Sequence, residues 1–181
     1  VKHYDKISGW FNHEIAYDYL VSQVPTGGTV LELGAWLGRS SAYLADKVAE
    51  ADRGITCIIS DSWMGSPNEL NKNHKLATET DIYEIFKENM QGRNYRSVRG
   101  LSTETVEQFE DTSLDVVFID LTHSYDAVKQ DIELWYPKVK PGGILSGHDY
   151  CEEWPGVMKA VDEKFPNCKV IKGCWIHHKN I

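Results

Sequence analysis

The chain has 181 residues, enough for one core, since cores grow to roughly 150–200 residues before chains split. Hydrophobic residues make up 41% and charged residues 25%, as in an ordinary soluble globular protein. A formal net charge of −8 argues against a nucleic-acid polymer as main partner, because phosphate binding rests on clustered Lys and Arg.

Neither an internal repeat nor a composition break divides the chain, so residues 1–181 are expected to form one domain. Within the N-terminal helical segment, 1–28, residues 12–24 place Ile15, Tyr19 and Leu20 at helical spacing. Pro25 and Gly27-Gly28 end that element. Thr29–Leu33 reads as a buried strand, Gly34–Gly38 as a tight loop, and Ser40–Glu50 as a helix with a small-residue face. Ile55–Ser60 is a second buried strand, closed by Asp61. Residues 62–81 are polar, contain Pro67 and lack a clear period, which predicts a long excursion suited to a lid.

Residues 82–91 read as a helix, Arg96–Arg99 as a third strand and Thr103–Phe109 as a short helix. Arg93, Arg96 and Arg99 thicken the basic charge here without making a groove, which leaves a small nucleotide substrate open. Leu114–Ile119 is a fourth buried strand ending at Asp120. Tyr125–Val139 predicts the longest amphipathic helix, stopped by Pro141-Gly142-Gly143. Ile144–Gly147 is a fifth strand ending at His148-Asp149, Val157–Phe165 a helix, and Lys169–Ile171 with Cys174–His177 a closing hairpin. Strands alternating with helices, and apolar nearly throughout, predict an α/β fold. Its mainly parallel sheet would carry helices on both faces, with the hairpin as an antiparallel edge.

Four cysteines show neither a C-x-x-C pair nor zinc-like spacing. Cys57 reads as a buried small hydrophobe. Cys168 and Cys174 flank a short turn and could face each other, but reduced thiols are expected. No signal peptide and no run of about 18 apolar residues occurs, so a cytoplasmic chain without a membrane span is expected. A start at Val1 leaves room for a lost initiator or a longer N-terminus. His177-His178 reads as an exposed strand end rather than a metal site.

Chemistry enters at VLELGAWLGRSSAYLA. Gly34 and Gly38 frame a turn that opens directly into a helix, and glycine lets backbone approach a ligand closely. A helix N-terminus adds unpaired N–H groups and a positive dipole end. The dinucleotide fingerprint G-x-G-x-x-G needs glycine where this chain has Trp36, which crowds the pyrophosphate position and disfavours an NAD-dependent oxidoreductase. A ligand with a carboxylate and an amine suits the turn better. Glu32, two residues before the loop, can position an ammonium directly or by orienting the turn. Asp61, at a strand end, can accept hydrogen bonds from both ribose hydroxyls. Together these residues specify a nucleoside with an amino-acid tail.

The carboxyl ends of an open α/β sheet gather at one edge, where ligands bind. Asp120 and Asp149, ending neighbouring strands, can share a divalent cation with substrate oxygens. His123, three residues beyond Asp120, can take a proton from a hydroxyl. His148 reads equally as ligand, orienting group or bystander. Trp10, Phe11, Trp63 and Trp154 are candidates for an aromatic wall facing a sugar or ring, against the plainer reading as core.

Four features resemble the class I S-adenosylmethionine-dependent methyltransferases: E-x-G-x-x-x-G after the first strand, Asp61-Ser62-Trp63 after the second, Asp120 ending the fourth, and Pro-Gly-Gly before the fifth. The string FIDLTHSYDAVKQDIELWYPKVKPGGILSGHDY is similar to their small-molecule and sugar O-methyltransferase branch, with macrocin O-methyltransferase and cephalosporin-hydroxylase-type proteins as relatives. The likeness runs from about Gly9 to the C-terminus.

The resemblance implies a Rossmann-like methyltransferase fold with a seven-stranded sheet and a small-molecule hydroxyl as acceptor. It implies S-adenosylmethionine bound by Glu32, Gly34, Ala35, Trp36, Gly38, Ser40, Asp61, Ser62, Trp63, Ser102 and Asp120. It also implies His123 as general base beside Asp120 and His148, and magnesium on Asp120 and Asp149. The relatives best known for metal use have Glu-Asp where this chain has His148-Asp149, and imidazole is the poorer magnesium ligand. Leu121 replaces the more usual Gly and narrows the pocket. Three readings stay open beside O-methylation: an N-methyltransferase, a nucleotide-directed methyltransferase without metal, and a non-catalytic S-adenosylmethionine-binding module. A homo-oligomer is also left open.

Overall fold

A computed structural model describes residues 1–65 and 72–181. In chain order the elements are α1 (Glu14–Gln23), β1 (Thr29–Leu33), α2 (Arg39–Ala51), β2 (Thr56–Asp61), α3 (Lys72–Glu79), α4 (Ile82–Asn89) and β3 (Arg96–Arg99). There follow α5 (Ser102–Thr105), β4 (Leu114–Ile119), α6 (Tyr125–Trp135), β5 (Val139–Gly147), α7 (Pro155–Lys164), β6 (Lys169–Ile171) and β7 (Cys174–His178). The strands form one sheet in the order β3-β2-β1-β4-β5-β7-β6. Strands β1 to β5 pair in parallel, and β7 runs antiparallel to both β5 and β6. The expected parallel sheet with an antiparallel edge is therefore present.

The central strands are apolar because both of their faces are covered. All six residues of β4 are buried, and successive side chains feed opposite cores. Val116 and Phe118 join Tyr17, Leu20, Leu44 and Phe86 on the face covered by α1, α2 and α4. Val117 and Ile119 join Ile132, Trp135 and Val161 on the face covered by α6 and α7.

Three boundaries depart from the sequence pattern. Helix α6 stops at Trp135, Tyr136–Lys138 form a 3-10 turn around Pro137, and β5 begins at Val139. Pro141-Gly142-Gly143 consequently lies inside β5 rather than before it. Val139 pairs with Leu114, and the register shifts before Val116, so the tripeptide forms a bulge. Gly142 supplies φ +77°, and a Cβ on Gly143 would come to 2.7 Å from the Asp115 carbonyl. The short helix read over 103–109 is α5 followed by a 3-10 turn at Val106–Gln108. Helix α3 occupies part of the segment read as an aperiodic excursion, whose residues 66–71 lie outside the described residues. The remaining element boundaries fall within two residues of those expected.

The four cysteines are free, with Cys57 and Cys174 buried. Among the described residues no helix is long and apolar enough to cross a membrane.

Strand order reverses between β1 and β4, so their exit loops diverge and open a crevice at the carboxyl ends. The two loops touch at its base. The Asp120 N–H donates to the Leu33 carbonyl at 2.8 Å, and the Gly34 N–H to the Ser60 carbonyl at 2.9 Å. Gly34 has φ +94°, and a Cβ there would lie 1.8 Å from the Asp120 carbonyl oxygen. Gly34→Ala should therefore cost about 1–3 kcal/mol or more through strain and forced loop separation. Urea denaturation measures this loss, and an unchanged midpoint would refute the contact.

Candidate active site

A cavity of about 1260 Å³ opens at the carboxyl edge of the sheet. That exceeds the roughly 300–1,000 Å³ typical for one drug-sized ligand, so two reactants fit. Gly34, Ala35, Trp36 and Ser40 line it from the β1–α2 turn, Asp61 and Ser62 from the end of β2, and Ser102 from α5. Asp120 and His123 reach it from the β4–α6 loop, and His148 with Asp149 from the end of β5. Among the sequence candidates, Glu32, Gly38 and Trp63 lie outside this lining.

Asp61 organises the loops that follow β1 and β2. Its Oδ2 accepts the N–H groups of Ala35 at 2.7 Å and Trp36 at 2.9 Å, and its Oδ1 accepts the Trp63 N–H at 2.7 Å. An ionised carboxylate offers about four acceptor positions, so about one remains for a ligand hydroxyl rather than the two needed for both ribose hydroxyls. The two tryptophans held this way have positive φ, +49° at Trp36 and +52° at Trp63. The Trp63 indole N–H donates to the Trp36 carbonyl at 3.0 Å, which ties the two loops together. Trp63 is thus a buried strut packed on Tyr83 and Phe86. Helix α2 is preceded by Gly38, which offers no side-chain cap, and Arg39 and Ser40 of its first turn line the cavity. An uncapped N-terminus of this kind favours a carboxylate.

Glu32 is fully buried beneath the turn. The Tyr17 hydroxyl donates to its Oε1 at 2.6 Å, and the Ser41 hydroxyl to its Oε2. Of the two routes expected for Glu32, orienting the turn is the one this geometry supports. Burial raises its pKa to about 7, against the hydrogen bonds from Ser41 and Tyr17, which lower it.

Imidazoles and carboxylates alternate on the opposite wall. His123 Nε2 lies 2.7 Å from Asp149 Oδ2. His148 Nδ1 lies 3.4 Å from Asp149 Oδ1 and 3.8 Å from Asp120 Oδ2. Asp149 is itself at φ +60°. Burial alone would raise its pKa, but the hydrogen bonds from His123 and His148 hold it well below the usual carboxylate range. Burial likewise opposes a charge on His148, yet Asp149 and Asp120 raise its pKa overall. Asp120, His123 and Asp149 each bring a donor atom within 4.8 Å of the others. Two carboxylates and an imidazole at that spacing fit a divalent cation.

Two residues escaped the sequence reading. Asp131, in the middle of α6, lines the cavity and accepts a hydrogen bond from the Ser102 hydroxyl at 2.6 Å. Burial raises its pKa to about 6, against the Ser102 bond. Its helical position gave only an ordinary polar face. His13, just before α1, is 1% exposed, and neither ring nitrogen has a hydrogen-bond partner among the described residues. Each such omission costs about 1–3 kcal/mol. Its ring lies 4.1 Å from that of His148, centroid to centroid.

The aromatic candidates divide. Trp10, Phe11 and Trp154 line the cavity, Trp10 being 70% exposed and Phe11 mostly buried in the core, whereas Trp63 lies in the core outside the lining. Trp154 stacks on His123 with ring centroids 4.1 Å apart.

A glycine turn and a strand-end acid thus face an imidazole–carboxylate wall across the sheet reversal, at the edge where open α/β sheets bind ligands. Residues 31–150 match the family described as "Methyltransferase domain", and the chain belongs to that family. It is 29% identical over 147 residues to the uncharacterized protein y4gI of Sinorhizobium fredii, covering 81% of this chain and 16% of that protein. The chain thus spans about a sixth of the length of that relative. Among solved structures it resembles the O-methyltransferase NovP with a TM-score of 0.69 at 20% identity, covering 93% of this chain and 79% of that one. It also resembles an O-methyltransferase from Bacillus cereus in complex with SAH, with a TM-score of 0.55 at 16% identity over 95% and 82% of the two chains. These likenesses establish the Rossmann-like methyltransferase fold.

Glu32 also imposes a pH dependence. A carboxyl whose pKa rises from 4.5 to about 7 on folding keeps a proton that the unfolded chain has released. Stability therefore falls as pH rises through this window, by roughly 3 kcal/mol in all. Glu32→Gln should flatten this part of the profile. Urea unfolding of both proteins at about pH 5 and about pH 8 tests it, and parallel profiles would contradict the assignment.

Proposed function

We propose that this domain transfers a methyl group from S-adenosylmethionine to a hydroxyl of an uncharged, ring-bearing small molecule, with His123 as the base. The observation that carries the reading is the His123–Asp149 pair at 2.7 Å, facing the β1–α2 turn across one cavity in a methyltransferase-family chain. When bound, S-adenosylmethionine supplies an electrophilic sulfonium methyl. The uncapped N-terminus of α2 suits its carboxylate, the remaining acceptor position of Asp61 suits one ribose hydroxyl, and Ser102 with Asp131 suits the base end.

The acceptor side holds Trp10 and Trp154, whose faces suit a ring. Asp120, Asp131, Asp149 and Glu153 outweigh Arg39 in the lining, which disfavours a phosphorylated acceptor. Alignment and deprotonation are the main requirements of an in-line displacement at a sulfonium. Asp149 orients the His123 ring and stabilises the imidazolium formed once it takes the acceptor's proton. Asp120 and Asp149 are the oxygen ligands that would hold magnesium, which would lower the pKa of the acceptor hydroxyl.

Calorimetry should show binding of S-adenosylmethionine or its demethylated product, and none of NAD. Asp61→Asn keeps the shape of the side chain but turns an amide N–H₂ toward backbone N–H groups. It should weaken cofactor binding by about 1–3 kcal/mol, as should Asp61→Ala, and wild-type affinity in the Asp61→Asn variant would remove Asp61 from this role.

His123→Ala should leave cofactor affinity nearly intact and lower kcat about 10²–10⁴-fold, with loss of the corresponding limb of the pH–rate profile. Full activity in that variant would place the base elsewhere. Chelation followed by magnesium addition should abolish and then restore turnover, whereas an enzyme indifferent to chelator would reject magnesium and favour metal-free transfer.

A further inference from the structure

A second cluster runs from the cavity wall, at His148, back into the core, and brings in two residues that the transfer reaction does not use. His13 precedes α1, His148 follows β5, and Cys174 opens β7. Their donor atoms all lie within 4.8 Å of one another. Strands β5 and β7 pair with Gly147 opposite Trp175, which sets His148 beside Cys174 at the end of the ladder. Cys174 is completely buried, and its thiol makes a long contact of 4.0 Å with the Lys172 carbonyl. His13 is equally enclosed, with both ring nitrogens unpaired among the described residues.

We propose that His13, His148 and Cys174 bind one zinc-class divalent ion. The donor set separates this site from the carboxylates of Asp120 and Asp149. Two imidazoles and a thiolate select a borderline-soft cation such as Zn²⁺, whereas oxygen ligands select magnesium. His13 is in the state a metal needs. It is enclosed, with neither ring nitrogen hydrogen-bonded among the described residues, so a lone pair is available to an ion.

His148 is oriented in the manner of a metal-bound histidine. Its Nδ1 faces the carboxylates of Asp149 and Asp120. Its Nε2 faces the β6–β7 turn, where a Cβ on Gly173 would approach to 3.8 Å. A carboxylate holding one ring nitrogen while the other binds metal is the usual arrangement. Burial raises the Cys174 thiol pKa, so the thiolate forms only as the ion displaces its proton. The ion joins three segments distant in sequence and anchors His148 from behind.

Cobalt(II) titration of the metal-free protein tests the site, since Co²⁺ replaces Zn²⁺ and reports thiolate ligation by a charge-transfer band. One equivalent should bind and give that band, and X-ray absorption of the zinc-loaded wild type should show one sulfur at about 2.3 Å. The band should vanish in Cys174→Ser. In His13→Gln affinity should fall by more than the roughly 10–100-fold that losing an outer hydrogen-bond partner costs. Asp120→Asn should keep the band, and zinc should raise the Tm of the wild type. An ion without a sulfur neighbour, a band that survives Cys174→Ser, or no ion bound at one equivalent overturns the proposal. The wild-type absorption spectrum decides even if a variant fails to fold. Because cofactor binding is measured separately, failure here leaves the methyltransferase reading intact.

Discussion

The β1–β2 side of the cavity depends on one carboxylate gathering three backbone N–H groups. Asp61 ends β2, yet its oxygens reach Ala35 and Trp36 on the β1 loop and Trp63 on its own. Left-handed backbone at a bulky residue costs on the order of 1–3 kcal/mol and persists only where surroundings enforce it. Trp36 and Trp63 both adopt it, one on each loop held by Asp61. The indole N–H of Trp63 on the Trp36 carbonyl adds a second tie. The turn after β1 is consequently a clamped structure, shaped by hydrogen bonds from within. Glu32, with Tyr17 and Ser41, supports it from below.

The opposite wall follows another logic. There the strand ends of β4 and β5 deliver two carboxylates and two imidazoles, paired by charge and hydrogen bonds. Asp149 touches both histidines, so its ionisation and theirs are bound together. The sheet reversal between β1 and β4 brings these two walls into one cavity. Neither is local in sequence: Asp61 and Asp149 are separated by three intervening strands of chain, and only the parallel topology aligns their ends.

Much of this was legible because buried parallel strands announce themselves. Thr29–Leu33 and Leu114–Ile119 are mainly apolar runs, each carrying a single acid (Glu32 and Asp115), and became β1 and β4 without adjustment. Knowing the strands placed Gly34, Asp61, Asp120 and His148 at one edge. The Pro-Gly-Gly segment misled because the same residues that stop a helix also build a bulge, and only pairing with Leu114 decides between them. Helix α3 left no clear apolar period to read. His13 and Asp131 were missed for another reason: their meaning comes from tertiary neighbours, His148 and Ser102, which no local spacing reveals. Glu32 was found by position, but its full burial depends on α1 and α2 closing over it.

The stacking of Trp154 on His123 has an optical side. Their rings are 27° from parallel and in contact distance. An excited indole passes charge readily to a protonated imidazole and far less readily to a neutral one. Trp154, one of the chain's six tryptophans, therefore lies where the charge on that ring bears on its emission. The protein thus carries an intrinsic fluorophore in contact with the imidazole of the His123–Asp149 pair, placed to report on that ring without an added label.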